Sequence, residues 1–269
     1  MSRCDPKRPL FPEATVAAGG KLDKEEPARL LWQNMIPLAL PSDYPRIRQV
    51  NSFQELVATR LADGINALCW ERQLEGDFGE VVEQLGAGER IATVDEARLS
   101  SLLVSRAGRV AIANLLADQR LLREHSLDPA LNCIHGYPRD EHPGPVATDV
   151  FSFHADSATV ETDTWLCTYH GQPSEGLRND EACRRVDVPA TRAELLQDFG
   201  GEDDEAFRAY LSDHCYDLHY APSPMARPFG FGLGNLWRIA VAWSGCPVPP
   251  CIHRAPATCP GEPRLLLIC

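Results

Sequence analysis

Lysine is almost missing from this chain. Only Lys7, Lys21 and Lys24 occur among its 26 Lys and Arg residues, and every later positive charge is an arginine. An excess of basic charge is missing too, because 38 Asp and Glu give a formal net charge of -12. A general nucleic-acid or acidic-membrane binder needs the opposite balance, so both partner classes are excluded and a small molecule or peptide is favoured as substrate. No run of 18 apolar residues is present, which excludes a membrane-spanning helix. The opening stretch "MSRCDPKRPLFPEATVAAGGKLDKEEPAR" has no apolar core of signal-peptide length, so a cytoplasmic location is expected. The ten cysteines include no CxxC pair, and in that compartment they are expected as thiols. No G-x-S-x-G, P-loop or dinucleotide fingerprint is present. "WSGC" follows a strand without the helix a nucleophile elbow requires, and "FGFGLGN" reads as a turn or lid because no helix follows it.

What remains is 269 residues with 44% hydrophobic content, enough for one large integrated domain. Residues 1–30 carry no apolar period and are expected to be disordered. Residues 31–125 read as a mainly helical supporting part. "SFQE" at 52–55 fits a capping box, "DFGEVVEQLG" is a short helix capped by Asp77 and stopped by Gly86, and "INALCW" is a short buried strand. The segment 95–124 is strongly helical with a break near Gly108. From residue 126 the texture turns to β, with "TWLCTYHG", "LWRIAVAW", "PPCIHRAP" and "PRLLLI" as strands. A helical insertion near 190–216 interrupts them around Gly200–Gly201. The fold class expected is α+β.

The stretch "DVFSFHADSATV", residues 149–160, reads as a strand that carries His154 and Asp156 two positions apart. Residues i and i+2 of a strand project to the same side, so imidazole and carboxylate stand together. HxD by itself arises by chance in a chain of this composition. A third ligand, His253, lies in the strand-like "CIHRAP" near the C-terminus. Two His and one carboxylate form the facial triad of non-haem Fe(II) oxygenases, which leaves three positions open. Arg264 follows eleven residues after His253, and a hairpin of that length is expected to bring it alongside the His253 strand. There its guanidinium could pair with a carboxylate of a metal-chelating co-substrate.

H-x-D, a long gap, His, and Arg about eleven residues on resembles the Fe(II)/2-oxoglutarate-dependent dioxygenases. That resemblance implies a double-stranded β-helix, or jelly roll, over 126–269. It implies Fe(II) held by His154, Asp156 and His253 as the catalytic centre, with 2-oxoglutarate as co-substrate anchored by Arg264. Hydroxylation, desaturation or cyclisation of the substrate would follow. "FHAD", "LCTYHG" and "HRAP" also resemble segments of the uncharacterised bacterial DUF1826 family over residues about 50–269. Glu175 takes the acidic place of that pattern, but Gly176 stands where Trp is expected. This second resemblance implies one site and no reaction.

Other residues are candidates for binding the co-substrate. Tyr169, beside Thr168 in the next strand, could face the pocket or pack. Arg238 is a second choice for an anionic contact, with a partner carboxylate expected because it lies between apolar residues. Arg254 points away from His253 in a regular strand, unless the bend at Pro256 turns it inward. His214 and His219 read as structural or pocket-rim residues. Cys246, Cys251 and Cys259 form the densest thiol cluster and could bind a soft metal. Two alternatives therefore stand beside the oxygenase. One is a cupin-like Fe(II) enzyme without 2-oxoglutarate, and the other is a non-catalytic Zn-binding protein of metal handling. Oligomeric state leaves no signature.

Overall fold

A computed structural model describes residues 39–139, 144–257 and 261–269. The expectation for residues 1–30 and the position of Cys259 lie outside the described residues.

The first part of the chain supplies β1 (Ile47–Val50), α1 (Phe53–Ala58), β2 (Ala67–Trp70), α2 (Phe78–Leu85), β3 (Ile91–Thr93), α3 (Glu96–Ser101) and α4 (Arg106–Glu124). Its helices start where side chains replace missing backbone partners. Ser52, Asp77, Asp95 and Ser105 each accept from backbone N–H groups of the first turn. The helical break expected near Gly108 falls a few residues earlier. The chain leaves α3 at Leu102 and restarts at the Ser105 cap, so Gly108 lies in the first turn of α4.

The second part supplies β4 (Ala130–Ile134), β5 (Phe153–His154), β6 (Asp163–His170), β7 (Glu175–Leu177) and β8 (Ala182–Arg184). The helical insertion follows as α5 (Pro189–Phe199) and α6 (Glu205–Asp213), with Gly200 closing α5 in the left-handed region at φ 71°. Then come β9 (His219–Pro222), β10 (Phe229–Gly230), β11 (Leu236–Ala240), β12 (Ile252–Arg254) and β13 (Arg264–Ile268).

Among the described residues these strands form two sheets. The larger has the order β1-β2-β11-β6-β13-β4-β3, and the smaller β10-β7-β12-β5-β9-β8. The protein is thus mixed α+β with two large sheets. The region read as mainly helical also widens the larger sheet, with β1 and β2 beyond β11 and β3 beyond β4.

Strand alternation decides what each face buries. Along β6, Trp165, Cys167 and Tyr169 join Leu265 and Leu267 of β13 in a core with Val81, Leu99, Leu115 and Leu122 of the helices. Leu166 and Leu266 have the opposite parity. They pack with Trp237, Ile239, Phe229, Phe231 and Cys251 in a second cluster that includes residues of both sheets. Thr168 and Arg264 share that second parity. At full burial each large apolar side chain contributes roughly 1.5–3 kcal/mol, so the parity of these strands is strongly held.

Candidate metal centre

His154 ends β5, and its register partner in β12 is His253. Residues directly opposite in an antiparallel pair project to one face, and the two imidazole centroids are 4.7 Å apart. The expected long strand over 149–160 is not formed, because β5 has only two residues. The chain leaves the smaller sheet immediately after it. Ala155 N–H donates to Leu218 O, whereas Ala242 N–H donates to Asp156 O and Ala158 N–H to Ala242 O. Asp156 therefore lies where the chain crosses toward the end of β11. Its carboxylate still returns to the histidines, with Oδ1 3.9 Å from His154 Nε2 and Oδ2 3.7 Å from His253 Nε2.

The three ligand atoms lie within 4.8 Å of one another, and this is the group of His, Cys, Asp and Glu among the described residues that could hold a metal ion. The surroundings fit that use. His154 Nδ1 is 2.8 Å from Ser152 O and His253 Nδ1 is 3.3 Å from Cys251 O. A carbonyl can only accept, so each Nδ1 carries the proton and each Nε2 presents a lone pair to the shared space. Thr164 Oγ1–H donates to Asp156 Oδ2 at 2.6 Å and fixes the carboxylate. Burial holds His253 down at about pKa 4, against the opposing pull of Asp156, so its ring is neutral near pH 7, as a ligand must be.

Arg264 is 3% exposed. It does not reach the site through a hairpin with the His253 strand, contrary to the sequence expectation. β12 belongs to the smaller sheet, and β13 lies in the larger one between β4 and β6. The nine residues between β12 and β13 connect one sheet to the other. Arg264 Nη1 donates to Tyr137 Oη at 2.9 Å, and Nη2 donates to Thr168 Oγ1 at 2.8 Å and Ser174 Oγ at 2.7 Å. All three partners are hydroxyls, and Nε is buried without a partner. Burial pushes the guanidinium pKa down, and its charge is felt at His253. Gly171 makes this approach of β6 to β13 possible, since at φ 79° a Cβ would sit 2.9 Å from Pro263 O.

The other arginine candidates are occupied elsewhere. Arg238 has the carboxylate partner expected of it, with Nε donating to Asp163 Oδ2 at 2.7 Å. Its Nη1 donates to the carbonyls of Leu56, Val57 and Thr59 at the end of α1, which removes it from the anion-binding role. Arg254 donates to Glu175 Oε2 at 2.7 Å and lies over the Phe153 ring, on the strand face opposite His253. Tyr169 also points away from the site. Its hydroxyl donates to Asp118 Oδ2 at 2.6 Å in the helix–sheet core, and Thr168 is the residue of that pair facing Arg264.

Cys246 and Cys251 do not join a metal-binding group among the described residues. They pack in different apolar clusters, and burial pushes Cys251 up to about pKa 12. Apart from Cys183, the described cysteines are free thiols. The "FGFGLGN" turn is anchored rather than loose: Phe231 is buried and stacked on Trp237, and its carbonyl accepts from Trp237 Nε1 at 2.7 Å. At Gly176, where the DUF1826 pattern has Trp, the Phe229 ring leaves no room, since a Cβ would lie 2.2 Å from Phe229 Cζ.

Three residues of the site have no explicit place in the sequence reading: Thr164, Tyr137 and Ser174; His219, read there as structural or pocket-rim, stands beside His154. Thr164 shares its parity with Thr168, so the period of β6 could have found it. Tyr137 and Ser174 lie outside regular elements, where periodicity gives no direction. Together the two sheets and the His–Asp–His group define a mixed α+β protein with a partly buried site able to hold a metal ion. No protein-family model matches the chain, and no curated protein or solved structure matches it. Among the described residues no helix is long and apolar enough to cross a membrane.

Proposed function

We propose that this protein is a non-haem Fe(II)- and 2-oxoglutarate-dependent oxygenase built on a double-stranded β-helix. The observation that carries the reading is a two-His, one-carboxylate group near a buried arginine that has hydroxyl partners and no carboxylate. From β4 onward the chain alternates between the sheets except over β7 to β10: β4, β6, β11 and β13 are in the larger, and β5, β7, β8, β9, β10 and β12 in the smaller. That alternation supports the jelly-roll reading.

His154, Asp156 and His253 would hold the iron, an N/O ligand set suited to Fe(II) with positions left open. When bound, Fe(II) with 2-oxoglutarate supplies the activation of dioxygen that lets a C–H bond be oxidised. The protein's own groups prepare the place. Ser152 O and Cys251 O fix the imidazole tautomers, and Thr164 orients the carboxylate. Arg264 supplies a planar fork for the far carboxylate of the co-substrate, with Thr168, Ser174 and Tyr137 holding the fork in place.

The test is the anaerobic visible spectrum of the Fe(II)-loaded protein with and without 2-oxoglutarate, together with metal analysis. Wild type is expected to bind one Fe(II) and to develop a charge-transfer band on adding 2-oxoglutarate. His154→Ala and Asp156→Ala should each lose at least about a hundredfold in Fe(II) affinity. Stoichiometric iron retained in both variants would sink the ligand assignment. Iron without the band or 2-oxoglutarate turnover would remove the co-substrate and leave the cupin-like enzyme.

A further inference from the structure

His219 and Arg185 extend the row of site residues across the smaller sheet. His219 of β9 is the register partner of His154 on the side away from His253. Three imidazoles therefore stand in a row on one face, with centroids 5.7 Å and 4.7 Å apart. The metal-binding group takes two of them. His219 is left over, and its Nδ1 is buried with no hydrogen-bond partner.

The next strand continues the row. β8 pairs with β9 so that Arg184 faces Tyr220, which brings the following residue, Arg185, beside His219. The chain turns there into a single 3₁₀ turn, Arg185–Asp187. Arg184 turns to Asp187 in a two-point ion pair. Arg185 makes no such pair. Its Nε is buried and unpartnered, burial alone lowers its pKa, and its charge is felt at His219.

We propose that Arg185 and His219 form a subsite for a carboxylate of the substrate, on the flank of the metal centre beyond His154. The assignment of this carboxylate to the oxidised substrate rests on the oxygenase reading above. Other arginines nearby are already neutralised: Arg184 by Asp187, Arg192 by Asp203 and Arg254 by Glu175. One uncommitted planar cation beside an imidazole whose Nδ1 has no partner matches a planar monoanion, whereas a phosphate dianion calls for more positive charge. Two strand spacings separate Arg185 from His154, roughly 10 Å along the sheet, and the arginine side chain spans part of that. The substrate is thus a small acid whose reacting carbon lies within a few bonds of its carboxylate.

The experiment uses the full metal-free chain with 4-fluorobenzoate as probe, read by ¹⁹F line broadening. Wild type should bind saturably. Arg185→Gln, which keeps the buried stem, should weaken binding about tenfold or more, with partial recovery in Arg185→Lys. His219→Gln should weaken it less. Absence of saturable binding to wild type overturns the proposal. So does unchanged affinity in Arg185→Gln. Stronger competition by inorganic phosphate than by acetate overturns the carboxylate assignment. Because no metal is present, these results are independent of the iron spectrum. Arg185-dependent binding without the Fe(II)–2-oxoglutarate band would remove the reaction and leave the subsite.

Discussion

Arg72 and Arg264 are both withdrawn from water, one in the core under the helices and the other near the metal centre, and their partners differ. Arg72 Nη1 and Nη2 donate to the two carboxylate oxygens of Asp118 at 2.7 and 2.8 Å, and Nε donates to Gly234 O. Asp118 in turn accepts from Tyr169. Burial alone would push the Arg72 pKa down, but Asp118 outweighs it and the net direction is up. Around Arg264 burial prevails and the direction is down. The first region brings its own counter-ion and is electrically complete. The second has its fork held by three neutral hydroxyls and would be completed by an anion from outside. A buried cation without a carboxylate is costly to keep, which makes it a better indicator of ligand binding than the more numerous paired arginines.

The largest expected effect comes from breaking the complete region. Asp118→Ala leaves Arg72 charged and unpaired and removes the acceptor of Tyr169. Urea unfolding should show a loss of about 3–5 kcal/mol. Arg264→Leu removes a charge that has no counter-ion, and should change the same quantity by less than about 2 kcal/mol. Comparable losses in the two variants would show that Arg264 is structural and erase the contrast.

The next effect is on binding. A charge-assisted two-point contact contributes roughly 1.5–3 kcal/mol, so Arg264→Leu should weaken 2-oxoglutarate binding about tenfold to several hundredfold, with Fe(II) affinity nearly unchanged. Arg264→Lys should recover only part, because a point charge lacks the fork. Titration of the Fe(II)–2-oxoglutarate band in the three proteins measures both. An unchanged titration in Arg264→Leu would move the anchor elsewhere. Arg238 and Arg254 already hold Asp163 and Glu175, so they are poor replacements.

This contrast was only partly legible in the sequence. HxD indicated a shared face because side-chain direction alternates along a strand, and the cluster forms although β5 is too short to carry Asp156. His253 was legible from its apolar neighbours. Arg264 was legible as a residue but not by its route. A spacing of eleven from His253 to Arg264 fits a hairpin or a crossing between sheets, and spacing does not say which. Tyr169 and Thr168 were indistinguishable until the parity of β6 was known. Asp118 is separated from Arg72 by 46 positions, and nothing local marks a long-range ion pair. His219 depends on the pairing of β9 with β5, and strand order across a sheet leaves no local trace.

The smallest effect concerns that same histidine and is read as pH dependence. Burial, reinforced by the charges of His154 and Arg185, holds His219 at about pKa 4, and its Nδ1 has no partner. In the unfolded chain the ordinary value is about 6.5. Between these values the unfolded state binds a proton that the folded state does not, so stability is complete above about pH 6.5 and falls as pH drops toward 4. On this account the metal-free protein should be about 2 kcal/mol less stable at pH 5 than at pH 7 through His219. His253, also held at about 4 by burial, adds a loss in the same window. His219→Gln should therefore flatten the profile without abolishing it, and bound metal should not flatten the His253 share, because it keeps the folded ring unprotonated while the unfolded chain still takes up the proton. Urea unfolding of the metal-free wild type and His219→Gln at pH 7 and pH 5 reads the His219 share as the difference between the two proteins. A profile identical in both metal-free proteins would mean that His219 takes up its proton alike in the folded and unfolded chain, so that the space beside His154 is open to water rather than dry.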